Sequence, residues 1–538
     1  LRARGRAAPR GSNRMRSWSD QLPSPGAAYA VVQRHGRFLA WAGIGLVALG
    51  AGGCAGAWYV GGMWLAVPGS ILIVAGAGAI WSAWGAEMCW VALLFAVALL
   101  PPRWMLPPYE VRQGVPTPYI LLSLILLAWA ALLVRRLTSG DLSFRTSGLE
   151  IYQLALFCLA LLGLIVRQRD YFHVSPALAA IVLLFGPMLA FHLPTNSKLG
   201  YRQVLLLCKV LAGFGAFLSF VSLRYPLHFI PGLEVMGEFA WGQLGEAMVR
   251  AYGVLGGPSL TGSAVASLVP ICAVLAMSSR GASRFLYVLF AFLCTVTTVL
   301  SVQRAVIFAL IVSMLLLAWL ARDLVWRNRR LAAALATLVG LTIFFIVSAL
   351  RSHVHFDRLT SREITRRGDQ IRMMSMQAAI QAGLQRPLLG GGIGRYFPSG
   401  TARRVVAVEE GRALRGPHSL PLLGFSEMGA FGMLFMLVLM FKPPIDLLRF
   451  YWRARDEATR WLLAAFACSA LGLGLCSIFS WALASMPRYA LFVWLFLGLA
   501  YRAAHVTSPA PKAVRPRHIG ALQASQRVGS LSGAWRFC

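Results

Sequence analysis

Arginine and histidine are the residues in this sequence best placed to do chemistry. Between residues 350 and 416 the chain carries twelve arginines, opposed by five carboxylates at Asp357, Glu363, Asp369, Glu409 and Glu410. Guanidinium groups stay charged at any physiological pH and grip phosphate oxygens in pairs. A stretch this basic is therefore a candidate anion site, with attraction to lipid head groups as the plainer alternative. Two more arginines fall at points where an apolar segment begins. Arg250 precedes Gly256-Gly257-Pro258, and Arg304 ends the turn Ser301-Val302-Gln303-Arg304 between two apolar blocks. In so tight a turn an arginine must snorkel or find a partner. His418 follows, in Gly416-Pro417-His418-Ser419, where the arginine-rich stretch gives way to apolar sequence. Histidine titrates near neutrality, which suits general acid–base work; at a helix start it is also a common polar cap. Glu427 lies nine residues on, inside the next apolar block, where a carboxylate must face the interior and be paired.

The elements that must position these groups are membrane helices. The chain has 538 residues, 58% hydrophobic and 13% charged, about half the charge of an ordinary soluble domain. The apolar residues come in blocks long enough to cross roughly 30 Å of hydrocarbon. Fourteen candidate spans result: 38–60, 63–84, 86–101, 117–134, 149–166, 175–193, 203–223, 260–278, 285–302, 305–321, 331–349, 417–441, 461–482 and 489–502. The expected fold is an all-α polytopic transmembrane helix bundle of about 12–14 spans with one large extracytoplasmic loop. The division is a basic cytoplasmic tail (1–37, disordered), a bundle (38–349), the loop (350–416), C-terminal helices (417–502) and a disordered tail (503–538). An outer amphipathic segment is expected at 224–259. No small-residue cleavage site follows the first apolar block, so that block reads as an anchor.

Lysine and arginine in short connections orient the bundle. Arg135-Arg136…Arg145, Lys198…Arg202, Arg280…Arg284, Arg322…Arg330 and Lys442…Arg460 fall on alternate connections, which places them in the cytoplasm. The arginine-rich loop and His418 then face outward. The net charge of +32 suggests nucleic acid at first sight, but topology accounts for it, and no nucleic-acid partner is expected. The nine cysteines include no CxxC or zinc spacing and read as small buried hydrophobes. His353 and His355 lack a third ligand nearby. Gly390-Gly391-Gly392-Ile393-Gly394 lacks the strand and Lys-Ser/Thr of a phosphate loop, and reads as a flexible turn or a close backbone approach to substrate. No metal site or cofactor is expected.

The order of these features resembles the O-antigen ligase / O-antigen polymerase superfamily of bacterial envelope glycosyltransferases. The resemblance covers roughly 245–445. It rests on Arg250 before the Gly-Pro helix start, the Ser301…Arg304 hairpin, a helix carrying Arg372 that leads to Pro387-Leu388-Leu389-Gly390-Gly391-Gly392-Ile393-Gly394-Arg395, and His418 followed by Glu427-Met428-Gly429-Ala430-Phe431-Gly432. Two departures stand out. The family usually follows its histidine with asparagine, where Ser419 stands here, and its hairpin often reads Ser-Arg-Gly.

The resemblance implies a metal-independent glycosyltransferase on the outer face of the bacterial inner membrane. The donor is a glycan on a polyprenyl diphosphate, and the acceptor is a hydroxyl of a glycan, lipid or protein. His418 and Arg304 are the implied catalytic residues. Arg250, Arg372 and Arg395 are implied to bind the diphosphate, and Glu427 to support them. Polymerisation of O-antigen or exopolysaccharide is an alternative within the superfamily. A transporter or flippase for lipid-linked glycans is another, disfavoured because the charges cluster at one face and no internal repeat is visible.

Overall fold

The computed structural model describes residues 86–99, 117–139, 144–166, 174–227, 258–301, 303–330, 362–394, 417–480 and 482–507, with isolated residues between 332 and 344. The chain divides into two compact units, Leu1–Leu93 and Leu94–Cys538. Of the first, the described residues are 86–93, which open helix α1. All contacts discussed below lie within the second.

Every described element is a helix: α1 (Ala86–Leu99), α2 (Thr117–Ser139), α3 (Glu150–Val166), α4 (Val174–Ala190), α5 (His192–Asn196), α6 (Tyr201–Leu227), α7 (Pro258–Ser278), α8 (Ala282–Leu300), α9 (Arg304–Leu320), α10 (Arg322–Arg327), α11 (Arg362–Gln385), α12 (Leu420–Arg453), α13 (Glu457–Ile478), α14 (Ala482–Ser485) and α15 (Pro487–Thr507). Six of them, α6, α7, α8, α12, α13 and α15, are long and apolar enough to cross a membrane, and α1, α3 and α9 are shorter apolar helices. The chain is thus an all-helical, multi-pass membrane protein. Eleven of the fourteen apolar blocks fall on described helices. The blocks at 38–60 and 63–84 lie outside the described residues, and only isolated residues of 331–349 are described.

The structure moves several expected boundaries. Helix α12 does not stop at 441 but runs to Arg453, through Pro443 and Pro444. Lys442, read as the start of a cytoplasmic connection, is therefore helical. Its charge is tolerated because Asp446, one turn on, pairs with it. Helix α15 continues to Thr507, five residues into the stretch read as a disordered tail. The segment read as amphipathic at 224–259 contributes its first residues to α6 and its last to α7; the remainder lies outside the described residues. Of the stretch read as a large loop, residues 362–394 form α11 and a compact turn that packs against α12.

Helix α7 is the most enclosed of the long helices, packed against α6, α8, α9 and α13. In lipid there is no hydrophobic drive between apolar helices, so close packing through small residues does the work. Gly262 shows it: a Cβ there would stand 2.7 Å from Ser301 Oγ. Gly472 on α13 is in the same position against Ser313 of α9, again at 2.7 Å. The cysteines behave as expected in the core, where Cys208, Cys272, Cys294, Cys468 and Cys476 are buried, while Cys158 is exposed.

Candidate functional site

Helix direction decides which residues can meet. The Tyr451 hydroxyl donates to the carbonyl of Leu320 (2.6 Å), and Arg327 pairs with Glu457. The C-terminal end of α9 therefore lies beside the α12–α13 turn. The Tyr501 hydroxyl donates to Asp446 Oδ2 (2.7 Å), which brings the end of α15 to the same level. Helices α9 and α15, and the part of α12 that follows Gly429, thus run the same way, while residues 420–428 fold back so that Gly424 packs against Gly432. Helix α7 begins at the same end as α9, since short turns at 279–281 and 301–303 join it through α8 to α9. The N-termini of α7, α9 and α15, each with partial positive charge, share one end of the bundle with Arg304.

Arg304 is the first residue of α9, exposed, and preceded by Gln303 in extended conformation. A cation at the positive end of a helix is unfavourable unless an anion is near. The turn that carries it is fixed by Ser301, which is fully buried, donates from its hydroxyl to the Thr298 carbonyl (2.7 Å) and fills the space left open by Gly262.

His418 stands just ahead of α12, half-buried. Its φ of +50° makes it the one non-glycine residue with positive φ among the described residues. That conformation costs about 1–2 kcal/mol in an L-residue, and such strain persists where the surroundings hold it, often at functional sites. Ser419 is what holds the next position. It is the N-cap of α12, its Oγ accepting from the Leu422 N–H at 3.5 Å, with Pro421 in the first turn where an N–H is not needed. Asparagine caps helices as well as serine does, so the structure gives the histidine–serine departure a benign reading.

Arg372 comes from α11. Burial first, and then the positive charge of Arg372, hold the His418 imidazole below its usual range. The two side chains therefore lie within electrostatic reach, and the imidazole is neutral at pH 7, with a lone pair able to accept a proton. Arg372 itself is exposed.

What brings α11 to this place is a backbone clamp that the sequence did not disclose. Helix α12 breaks at Gly429 (φ +69°, ψ −163°), a conformation that only glycine adopts readily. The break releases backbone groups on either side of it. Gly391 N donates to the Ser426 carbonyl (2.9 Å), Gly392 N to the Glu427 carbonyl (2.8 Å), and Ala430 N to the Pro387 carbonyl (2.7 Å). Gly390, at φ +67°, approaches so closely that a Cβ there would lie 2.4 Å from the Glu427 carbonyl carbon. The glycine run is buried. Rather than a flexible turn, it is the bolt between α11 and α12. One turn earlier, Gly383 of α11 admits the Phe425 ring, which a Cβ would meet at 2.3 Å.

Glu427 is buried, at 4% exposure, as expected for a carboxylate in an apolar span. Arg250 and Arg395 lie outside the described residues. Arg488, in the first turn of α15, is an arginine at this end that the sequence reading passed over; its Nε donates to the Val97 carbonyl (3.3 Å). The signal was there, a charged residue directly after Pro487 at the start of an apolar span. Among the described residues, no three His, Cys, Asp or Glu side chains gather as a metal site.

No curated protein matches the chain. Residues 289–437, which span α9, α11, the glycine bolt, His418 and the kink of α12, match the family model described as O-antigen ligase. This segment is thus similar to the O-antigen ligase family, in agreement with the superfamily resemblance.

Proposed function

We propose that the protein transfers a glycan from a polyprenyl diphosphate to an acceptor hydroxyl, on the outer face of the bacterial inner membrane. The observation that carries this reading is a conformationally held His418 within electrostatic reach of Arg372, inside the segment that matches O-antigen ligase. The acceptor oxygen would attack the anomeric carbon of the glycan while the bond from that carbon to the diphosphate breaks. His418 would take the hydroxyl proton. The departing electron pair would settle on the diphosphate, stabilised by Arg304 and Arg372, with Arg250 and Arg395 as further ligands. Glu427 would support the site from within α12. Arginines offer fixed positive charge in the role a divalent cation could otherwise fill, which is why we assign the reaction no metal. Helix N-termini beside the exposed Arg304 add positive potential that favours a diphosphate.

The test is glycan transfer in membranes from a polyprenyl diphosphate glycan with EDTA present. Wild type is compared with His418→Ala and Arg304→Ala at matched expression. Transfer that survives EDTA and is lost in both variants supports the assignment. Full transfer in both variants sinks it. A lengthened donor as product marks a polymerase, and a glycosylated acceptor marks a ligase.

A further inference from the structure

The end of the bundle opposite Arg304 carries a second concentration of arginine, of different character. Arg322, Arg327, Arg329 and Arg330 on and after α10 are exposed, as are Arg449, Arg453 and Arg455 around the α12–α13 turn. The exposed carboxylates there are Asp323, Asp456 and Glu457, of which Glu457 is taken by Arg327 and Asp323 lies 3.9 Å from Arg322 Nε. The surface is one continuous patch. Arg327 bridges α10 to α13 through Glu457 and lies 5.0 Å from the Trp461 ring centroid. Trp319 of α9 meets Trp452 of α12 edge to face, with ring centroids 6.3 Å apart.

Large indoles lie open among these charges. Trp319, Trp326 and Trp452 are 59%, 73% and 61% exposed. Arg329 stands 5.9 Å from the Trp326 ring. Tryptophan prefers the boundary between hydrocarbon and water, where its ring meets acyl chains and its N–H meets polar groups. Guanidinium groups at that depth present paired donors to phosphate. A zwitterionic head group brings its own cation into this arginine excess, whereas an anionic one does not.

We propose that this patch is a binding site for anionic phospholipid, with α10 and the α12–α13 turn gripping the phosphate and Trp319, Trp326 and Trp452 covering the upper acyl chains. The lipid joins α9–α10 to α12–α13, and α9 carries Arg304 at its other end.

The experiment titrates fluorescent phosphatidylglycerol and phosphatidylcholine into the full chain purified in a neutral detergent. Phosphatidylglycerol should bind more tightly, and the difference should shrink with added salt. Arg327→Gln/Arg329→Gln should remove most of a preference expected to be about 30-fold for two arginines at head-group depth. Arg135→Gln/Arg386→Gln, which removes equal exposed charge away from α10 and the α12–α13 turn, should leave it in place. Equal binding of the two lipids by wild type overturns the proposal, whether or not the variants fold. So does an equal loss in both double variants. No glycan transfer enters the readout, so the outcome is independent of the proposed reaction.

Discussion

A methyl group placed on Gly429 would lie 2.3 Å from the carbonyl oxygen of Leu388. Two segments about forty residues apart in sequence, from different elements, are in backbone contact there, and the contact sets where α11 stands. Gly429→Ala has two consequences. The residue must leave a region of backbone space that costs an L-residue of order 1–3 kcal/mol, and the turn at 387–394 must move off α12. The expected result is a lower unfolding temperature in detergent, together with faster tryptic cleavage after Arg372 in α11. An unchanged melting temperature and cleavage pattern would show that the bolt does not hold α11.

Arg372 and His418 give a prediction in pH. His418 must be neutral to accept a proton, and its folded pKa is lowered by burial and by Arg372. Transfer should therefore be level at neutral pH and fall only as pH drops through a midpoint under the usual 6.5. Arg372→Gln removes the cation and leaves the burial. The acid limb of kcat/KM should then shift upward in pH while staying below 6.5. A bound diphosphate, being anionic, opposes the arginine, so the acid limb of kcat should lie above that of kcat/KM in wild type. Superimposable acid limbs in wild type and Arg372→Gln would break the link between these residues.

How much of this was legible beforehand depended on whether the information was local. Span placement was local: a run of apolar residues from 203 to 223 is visible by composition, and the helix observed is Tyr201–Leu227. Arg304 at a hairpin tip and His418 ahead of a helix were also readable, because each sits beside a change in hydropathy. The continuation of α12 past Lys442 was not, since it depends on Asp446 receiving that charge, with Tyr501 from another helix on the same carboxylate. The glycine bolt was not legible either. Gly390 and Gly429 each look like ordinary turn or packing glycines until the partner backbone is known.

Ser419 separates capping from chemistry. Its hydroxyl accepts a long hydrogen bond from Leu422 N at the start of α12. Ser419→Asn supplies an equivalent acceptor and should leave stability and transfer near wild type. Ser419→Ala should cost about 0.5–1 kcal/mol, the low end for a lost cap. His418→Asn is the complementary variant. Asparagine tolerates positive φ better than most residues, so the fold should be retained while transfer falls at least about 100-fold with the base gone. Melting curves and initial rates on the three variants check this. Transfer surviving in His418→Asn would leave the histidine a structural role only.

Asp446 tests whether buried polar groups at the end of the bundle opposite Arg304 matter to the reaction or only to the fold. Its carboxylate pairs with Lys442, lies 3.3 Å from Arg449 Nη1, and accepts from the Tyr501 hydroxyl at 2.7 Å. Arg449 is mostly exposed, so its share is small, but Lys442 and Tyr501 depend on this acceptor. Asp446→Ala leaves a largely enclosed lysine without its counter-charge, a change expected to cost about 3–5 kcal/mol. Asp446→Leu/Lys442→Met removes both charges and should recover much of that loss, since a matched apolar pair often replaces a buried ion pair at little cost. Both variants should retain wild-type transfer per folded molecule, because neither residue is assigned to the site. Transfer that falls in the double variant while its melting temperature recovers would mean that this network is coupled to the site through α12, and that the two ends of the helix do not act separately.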